Sequence, residues 1–165
     1  LRKHRILLIE ESAPARRLIR EMLERLGFGH VEEAAGVKAG ERLLEAQGFD
    51  LVLLEWRQPR LEGMRFLKRL RADERLRLAV TPVIVSCADV DLELLKLAAD
   101  LDAHSVLAKP FSLKSLKSHV EAVLGAAPAR AKLRVPKGTP KKPVEEELPR
   151  AAEPDATAED DIFYL

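Results

Sequence analysis

Short apolar runs alternate with amphipathic stretches five times along the first 124 residues. The runs are Arg5–Ile9, His30–Ala34 (the weakest), Leu51–Leu54, Pro82–Val85 and Ser105–Ala108. Three of them are almost wholly apolar, the pattern of strands covered on both faces of a parallel sheet. Between the runs, apolar residues recur at helical spacing. Ala15, Leu18, Ile19, Met22, Leu23 and Leu26 make one stripe, with Ser12 and Pro14 as its start signal. Leu116, Val120, Val123 and Leu124 make another behind Ser112. Five β–α units predict a doubly wound α/β domain, (βα)5, around a five-stranded parallel sheet. Ligands and chemistry in such folds collect at the carboxyl ends of the strands.

Composition changes after Leu124. From Gly125 onward the chain is rich in Ala, Pro, Lys and Glu and has no sustained apolar period. Such a segment buries too little surface to offset its chain entropy. The expected organisation is a folded domain over 1–124 and a disordered, charge-segregated tail over 125–165. Lys plus Arg (28) nearly balances Asp plus Glu (27), so net charge points to neither a nucleic acid nor a membrane partner. No apolar run approaches the roughly 18 residues of a membrane span, and no signal peptide opens the chain. The single cysteine, Cys87, excludes an intrachain disulfide framework. A cytoplasmic location is expected.

The residues at the predicted strand ends carry the functional signal. The first strand runs into Glu10, Glu11 and Ser12, the third into Glu55, the fourth into Ser86, and the fifth into Lys109, Pro110 and Phe111. Any one alone is ordinary, since acids at strand ends often serve as helix N-terminal charge. Two acids, a third acid, a hydroxyl and a lysine on one rim are a stronger pattern.

With "ILLIEES", "DLVLLEWRQPRLEG", "VIVSC" and "VLAKPF" in these places, the sequence resembles the receiver domain of bacterial two-component response regulators over residues 4–124. The resemblance implies a flavodoxin-like sheet of order 2-1-3-4-5. It also implies a Mg²⁺-assisted phosphoryl transfer from a histidine kinase to an acid on the third strand. Carried over by position, Glu10 and Glu11 are the metal acids and Glu55 stands at the phosphoacceptor position. Ser86 and Lys109 would bind the phosphoryl group, and the backbone carbonyl of Arg57 would be a neutral metal ligand. A cis peptide at Lys109–Pro110 is implied as well. The family's output face would comprise 91–101, 105–108 and 112–124, but Val106 replaces the aromatic ring that usually switches there. Ala35 likewise replaces the polar residue that commonly precedes Gly36.

All three acids are glutamate where the family has mostly aspartate. Each added carbon moves a carboxylate out by about 1.5 Å, and a 1 Å misplacement can cost on the order of 10²-fold in rate. Mg²⁺ demands near-ideal octahedral geometry, so a bound Mg²⁺ and efficient phosphorylation are both put in doubt. Glu55 can instead extend its charge toward Lys109 and Ser86, where a phosphoryl group would sit. It supplies about −1 against about −1.5 to −2. The leading expectation is a stand-alone, phosphorylation-independent receiver that acts by protein binding and is not an enzyme. A working phosphoacceptor regulator is the alternative.

The Arg57 side chain has two readings, a solvated position or a fold over the rim that neutralises its charge. Cys87 is expected to pack as a small hydrophobe, and Trp56 to be either a partner contact or a partly buried loop ring. His4, His30, His104 and His119 lack metal-ligand spacing and are expected at the surface. In the tail, Arg130, Lys132, Arg134, Lys137, Lys141 and Lys142 precede an acidic half over 145–161. Without interleaved aromatics the basic half reads as a solvated linker, and a nucleic-acid contact is the weakest alternative. Ile162, Phe163, Tyr164 and Leu165 close the chain, either as an incidental terminus or as a hydrophobic hook for a partner.

Overall fold

The computed structural model describes residues 2–56, 61–74 and 79–125. Its elements run β1 (Arg2–Ile9), α1 (Ala13–Arg25), β2 (Phe28–Ala34), α2 (Val37–Ala46), β3 (Leu51–Glu55), α3 (Glu62–Arg71), β4 (Val83–Cys87), α4 (Leu92–Asp100), β5 (Ser105–Ala108) and α5 (Leu113–Leu124). The strands form one parallel sheet of order β2-β1-β3-β4-β5. The doubly wound α/β expectation and the strand order both hold. Arg57, the 126–165 segment and the Ile162–Leu165 cluster lie outside the described residues.

The apolar runs explain the layering. Successive side chains of a strand point to opposite faces, so a run without polar residues has both faces covered. Leu7, Ile9, Val52, Leu54, Val83, Val85, Cys87 and Val106 face one core with buried residues of α2, α3 and α4. Ile6, Leu8, Leu51, Leu53, Ile84 and Leu107 face the other with α1 and α5. Strand ends extend past the apolar runs. β2 begins at Phe28, which is fully buried, and β3 and β4 run on to Glu55 and Cys87. Glu55 and Ser86 are therefore held in the sheet rather than in loops.

Helix starts follow their capping residues. The Ser12 and Ser112 hydroxyls accept from the Ala15 and Ser115 amides at 3.4 and 3.1 Å, and the Asp91 carboxylate accepts from Leu94 at 2.7 Å. In α1 the stripe is narrower than its spacing implied. Ile19 and Leu23 are buried, but Leu18 is 58% exposed because it lies at the margin of the face that meets the sheet. α3 begins differently. Leu61 adopts a left-handed φ of 59°, and Gly63 brings the helix against the end of β3 so closely that a Cβ would overlap the carbonyl oxygens of Glu55 and Trp56.

Arg71 ties the opposite end of the sheet together. Its guanidinium donates to the carbonyls of Ala79 and Thr81, each at 3.0 Å, and of Asp102 at 2.9 Å. One side chain thus joins the end of α3 to the entry of β4 and the α4–β5 turn. Arg71→Met keeps the aliphatic stem and strands these acceptors, so it should cost about 1–3 kcal/mol. Urea denaturation should show the midpoint falling with the slope unchanged.

Candidate functional site

Backbone hydrogen bonds fix the rim before any side chain acts. The Glu10 amide donates to Ala34 at 3.1 Å, Trp56 to Ser86 at 2.8 Å, and Lys109 to Cys87 at 2.8 Å. The β3–β4 register sets Glu55 opposite Ser86. The Lys109–Pro110 peptide is cis. The ends of β1, β3 and β5 therefore aim Glu10, Glu55 and Lys109 at one point.

They meet there. The Lys109 ammonium donates to Glu10 Oε2 at 2.7 Å and also to Glu55 Oε2. Glu10 is 3% exposed, and its other oxygen accepts from the Ser12 amide at 2.9 Å. One cation bridges two carboxylates that sit on neighbouring strands of the sheet.

The other expected site residues are placed differently. Glu11 is exposed. Ser86 is buried, and its hydroxyl donates to the Leu54 carbonyl at 3.4 Å. Among the described residues no three His, Cys, Asp or Glu side chains are grouped as a metal ion requires. Arg16 is a residue the sequence pattern did not single out. From the first turns of α1 it donates to the carbonyls of Glu10 and Glu11, at 2.7 and 3.2 Å. Nothing in apolar periodicity marks such a contact, because its acceptors are backbone atoms. Its only sequence signal is a cation one turn beyond the Ser12 cap.

Charge and burial shift both Glu55 and Lys109. Burial raises the Glu55 carboxyl above its ordinary value, and the negative charge of Glu10 adds to this, while Lys109 opposes both. Burial pulls Lys109 down, but hydrogen bonds and charge from Glu10 and Glu55 outweigh it and leave the ammonium above its ordinary value.

Neighbouring residues resolve several open readings. Trp56 is 3% exposed, so it is a core ring rather than a partner contact. Cys87 is buried in the α2–α4 core, and its thiol donates to the Asp89 carbonyl at 3.2 Å. Of the histidines only His30 is fully at the surface; His4, His104 and His119 are half-buried. His104 accepts from the Val83 amide at 3.5 Å, and burial, then Arg71, lowers its pKa. His119 shares a 2.5 Å hydrogen bond with the buried Ser105 hydroxyl.

Residues 6–121 match the response regulator receiver domain. The chain belongs to that family. It is 32% identical over 124 residues to a probable chemotaxis protein CheY of Rhizobium etli, an alignment covering 75% of this chain and 95% of the relative. It is 29% identical over 119 residues to chemotaxis protein CheY-3 of Vibrio cholerae, covering 72% and 90%. Among solved structures it resembles the receiver domain of a Pseudomonas aeruginosa sensor histidine kinase, which has a magnesium ion in its active site cleft. The TM-score is 0.66 at 27% identity, over 74% of this chain and 98% of that one. The Vibrio cholerae regulator CheY4 shares the fold, with a TM-score of 0.66 at 22% identity over 73% and 98%. The protein is thus a CheY-like receiver domain of two-component signalling, a non-enzymatic signalling module. No helix among the described residues is long and apolar enough to cross a membrane.

Lys109→Met removes the only positive member of the bridge and leaves the buried Glu10 carboxylate facing that of the partly buried Glu55. At neutral pH it should cost about 2–4 kcal/mol, near the lower end for a broken buried pair because Lys109 retains some solvent contact. The deficit should shrink in acid as the Glu55 carboxyl, raised by burial, takes up a proton. A lysine with a raised folded pKa contributes its stability in full below the ordinary value of 10.5 and loses it as pH climbs through the folded value. The wild type should therefore lose stability above pH 10.5, and Lys109→Met should lack that alkaline component. Urea midpoints across the pH range check both limbs.

Proposed function

We propose that this receiver works without phosphorylation, with Glu55 and Lys109 forming a permanent contact in place of a phosphoryl-dependent one. The carrying observation is the Lys109 ammonium shared between Glu10 and Glu55. Lys109, the residue expected to bind an incoming phosphoryl group, is already committed to two carboxylates. Mg²⁺ would have to compete with that ammonium for Glu10, whose remaining oxygen holds the Ser12 amide. The residues as arranged do not fit a Mg²⁺ site.

Output in this reading is protein binding. The surface is that of α4, β5 and α5, the 91–101, 105–108 and 112–124 face, and the partner is a histidine kinase or another signalling protein. Val106 is buried in the α2–α4 core and carries no ring to swing, so any switch at this face must work differently. The competing reading, a glutamate that still accepts phosphate, requires Lys109 to release Glu55 and three glutamates to assemble around a metal.

Trp56 adjoins Glu55 and is the only tryptophan, so its fluorescence reports the rim. Titration with Mg²⁺ in the presence of a small phosphodonor should leave both the emission and the mass of the protein unchanged. A saturable emission change together with an added phosphoryl mass would establish the competing reading instead. Glu55→Gln keeps the shape and removes the charge, and should weaken partner binding by about 1–3 kcal/mol if the rim and output face are coupled as allosteric sites usually are. Equal affinity for the variant would mean that charge at Glu55 does not set the output.

A further inference from the structure

Away from the rim, α2 and α3 leave a groove of about 300 Å³ between them. Leu44, Phe66 and Leu70 supply its apolar lining, and Glu41, Glu45 and Asp73 its acidic edge. The charge of Glu41 is met by Arg69, at 3.0 and 2.5 Å. Glu45 is exposed in the last turn of α2, and no ion pair to it exists among the described residues. That turn holds no basic residue, and the carbonyl end of a helix favours cations over acids. Arg69 also lines the groove and answers Glu41, so the acid left for an incoming cation is Glu45, beside an apolar lining that suits a basic segment carrying a few aliphatic side chains.

This chain supplies such a segment. Residues 130–137 read "RAKLRVPK", in which Leu133 and Val135 are the only aliphatic side chains larger than alanine between Gly125 and Val144. In an extended segment, residues two apart share a face, so Leu133 and Val135 can enter a groove together. Lys132 and Arg134 flank them, and their long side chains can curl to its edge. α5 lies on the face of the sheet opposite α2 and α3, so the segment has to pass round the end of the sheet. With all strands parallel, the helices return antiparallel, so the last turns of α2, α3 and α5 stand at the same end of the sheet. Leu133 lies eight residues past Gly125, a reach of up to about 26–29 Å when extended.

We propose that residues 130–137 of this chain dock in the α2–α3 groove, with Leu133 and Val135 against Leu44, Phe66 and Leu70 and a flanking cation on Glu45. Docking packs the start of the tail onto the domain and leaves the acidic half, 145–161, projecting from the α2–α3 face. It also covers α3, whose first turn abuts the Glu55 carbonyl through Gly63, and so places tail and rim at two ends of one helix.

Carbodiimide cross-linking of the dilute full chain, mapped by mass spectrometry, tests this directly. Lys132 or Lys137 should be joined to Glu45, Glu41 or Asp73 within a monomer. Leu133→Ser with Val135→Ser should lower the yield of those links by about fivefold or more, as removal of anchoring apolar contacts does. Lysines joined only to 145–161 would show that the tail pairs with itself, and links found only between chains would make the occupant a second copy. Either result, no links at all, or links that survive the double substitution unchanged, overturns the proposal.

Discussion

The bridge from Lys109 to Glu10 and Glu55 is the constraint to which the rest of the rim conforms. Each ion is held where the sheet has withdrawn most of its water, and desolvation costs several kcal/mol per ion even after relaxation. At an effective dielectric of about 20, unit charges about 4 Å apart interact by about 4 kcal/mol. One ammonium between two carboxylates gains two such attractions against one repulsion, so the arrangement holds only while all three groups are present. Its contribution is therefore to shape more than to stability. It joins the ends of β1, β3 and β5 through side chains, across strands that the backbone already aligns.

In the proposed function, the two glutamates and Lys109 occupy the rim from the protein side. Burial raises the Glu55 carboxyl while Lys109 restrains it, the balance expected of a charge kept in place by its partner. Arg16 adds to the same picture by gripping the carbonyls of Glu10 and Glu11 from α1. In the proposed function, the cationic role that a metal would serve falls to side chains of the chain itself.

The fold was legible because its signal is redundant. Runs such as Leu51–Leu54 must be covered on both faces, and only a parallel sheet between two helix layers does that for five runs at once. Strand ends were less legible: β2 begins at Phe28 and β4 reaches Cys87, because pairing with a neighbour continues past the apolar residues that reveal a strand. The convergence of Glu10, Glu55 and Lys109 could be anticipated from strand order, but the outward position of Glu11 could not, since adjacent residues leave a strand end in different directions. Arg16 and Arg71 were invisible for a common reason. Both bind backbone carbonyls, and a carbonyl has no identity in a sequence. Leu18 and the half-buried histidines show the matching limit of periodicity, which identifies a face but not its margins.

A crystal structure of the protein grown with excess Mg²⁺ and a phosphoryl-mimicking fluoride tests the central claim most directly. The account predicts that Lys109 Nζ remains within hydrogen-bond distance of both Glu10 and Glu55, with no metal density between the strand ends. Mg²⁺ coordinated by Glu10 and Glu11, with Lys109 turned to the phosphoryl mimic on Glu55, would contradict it.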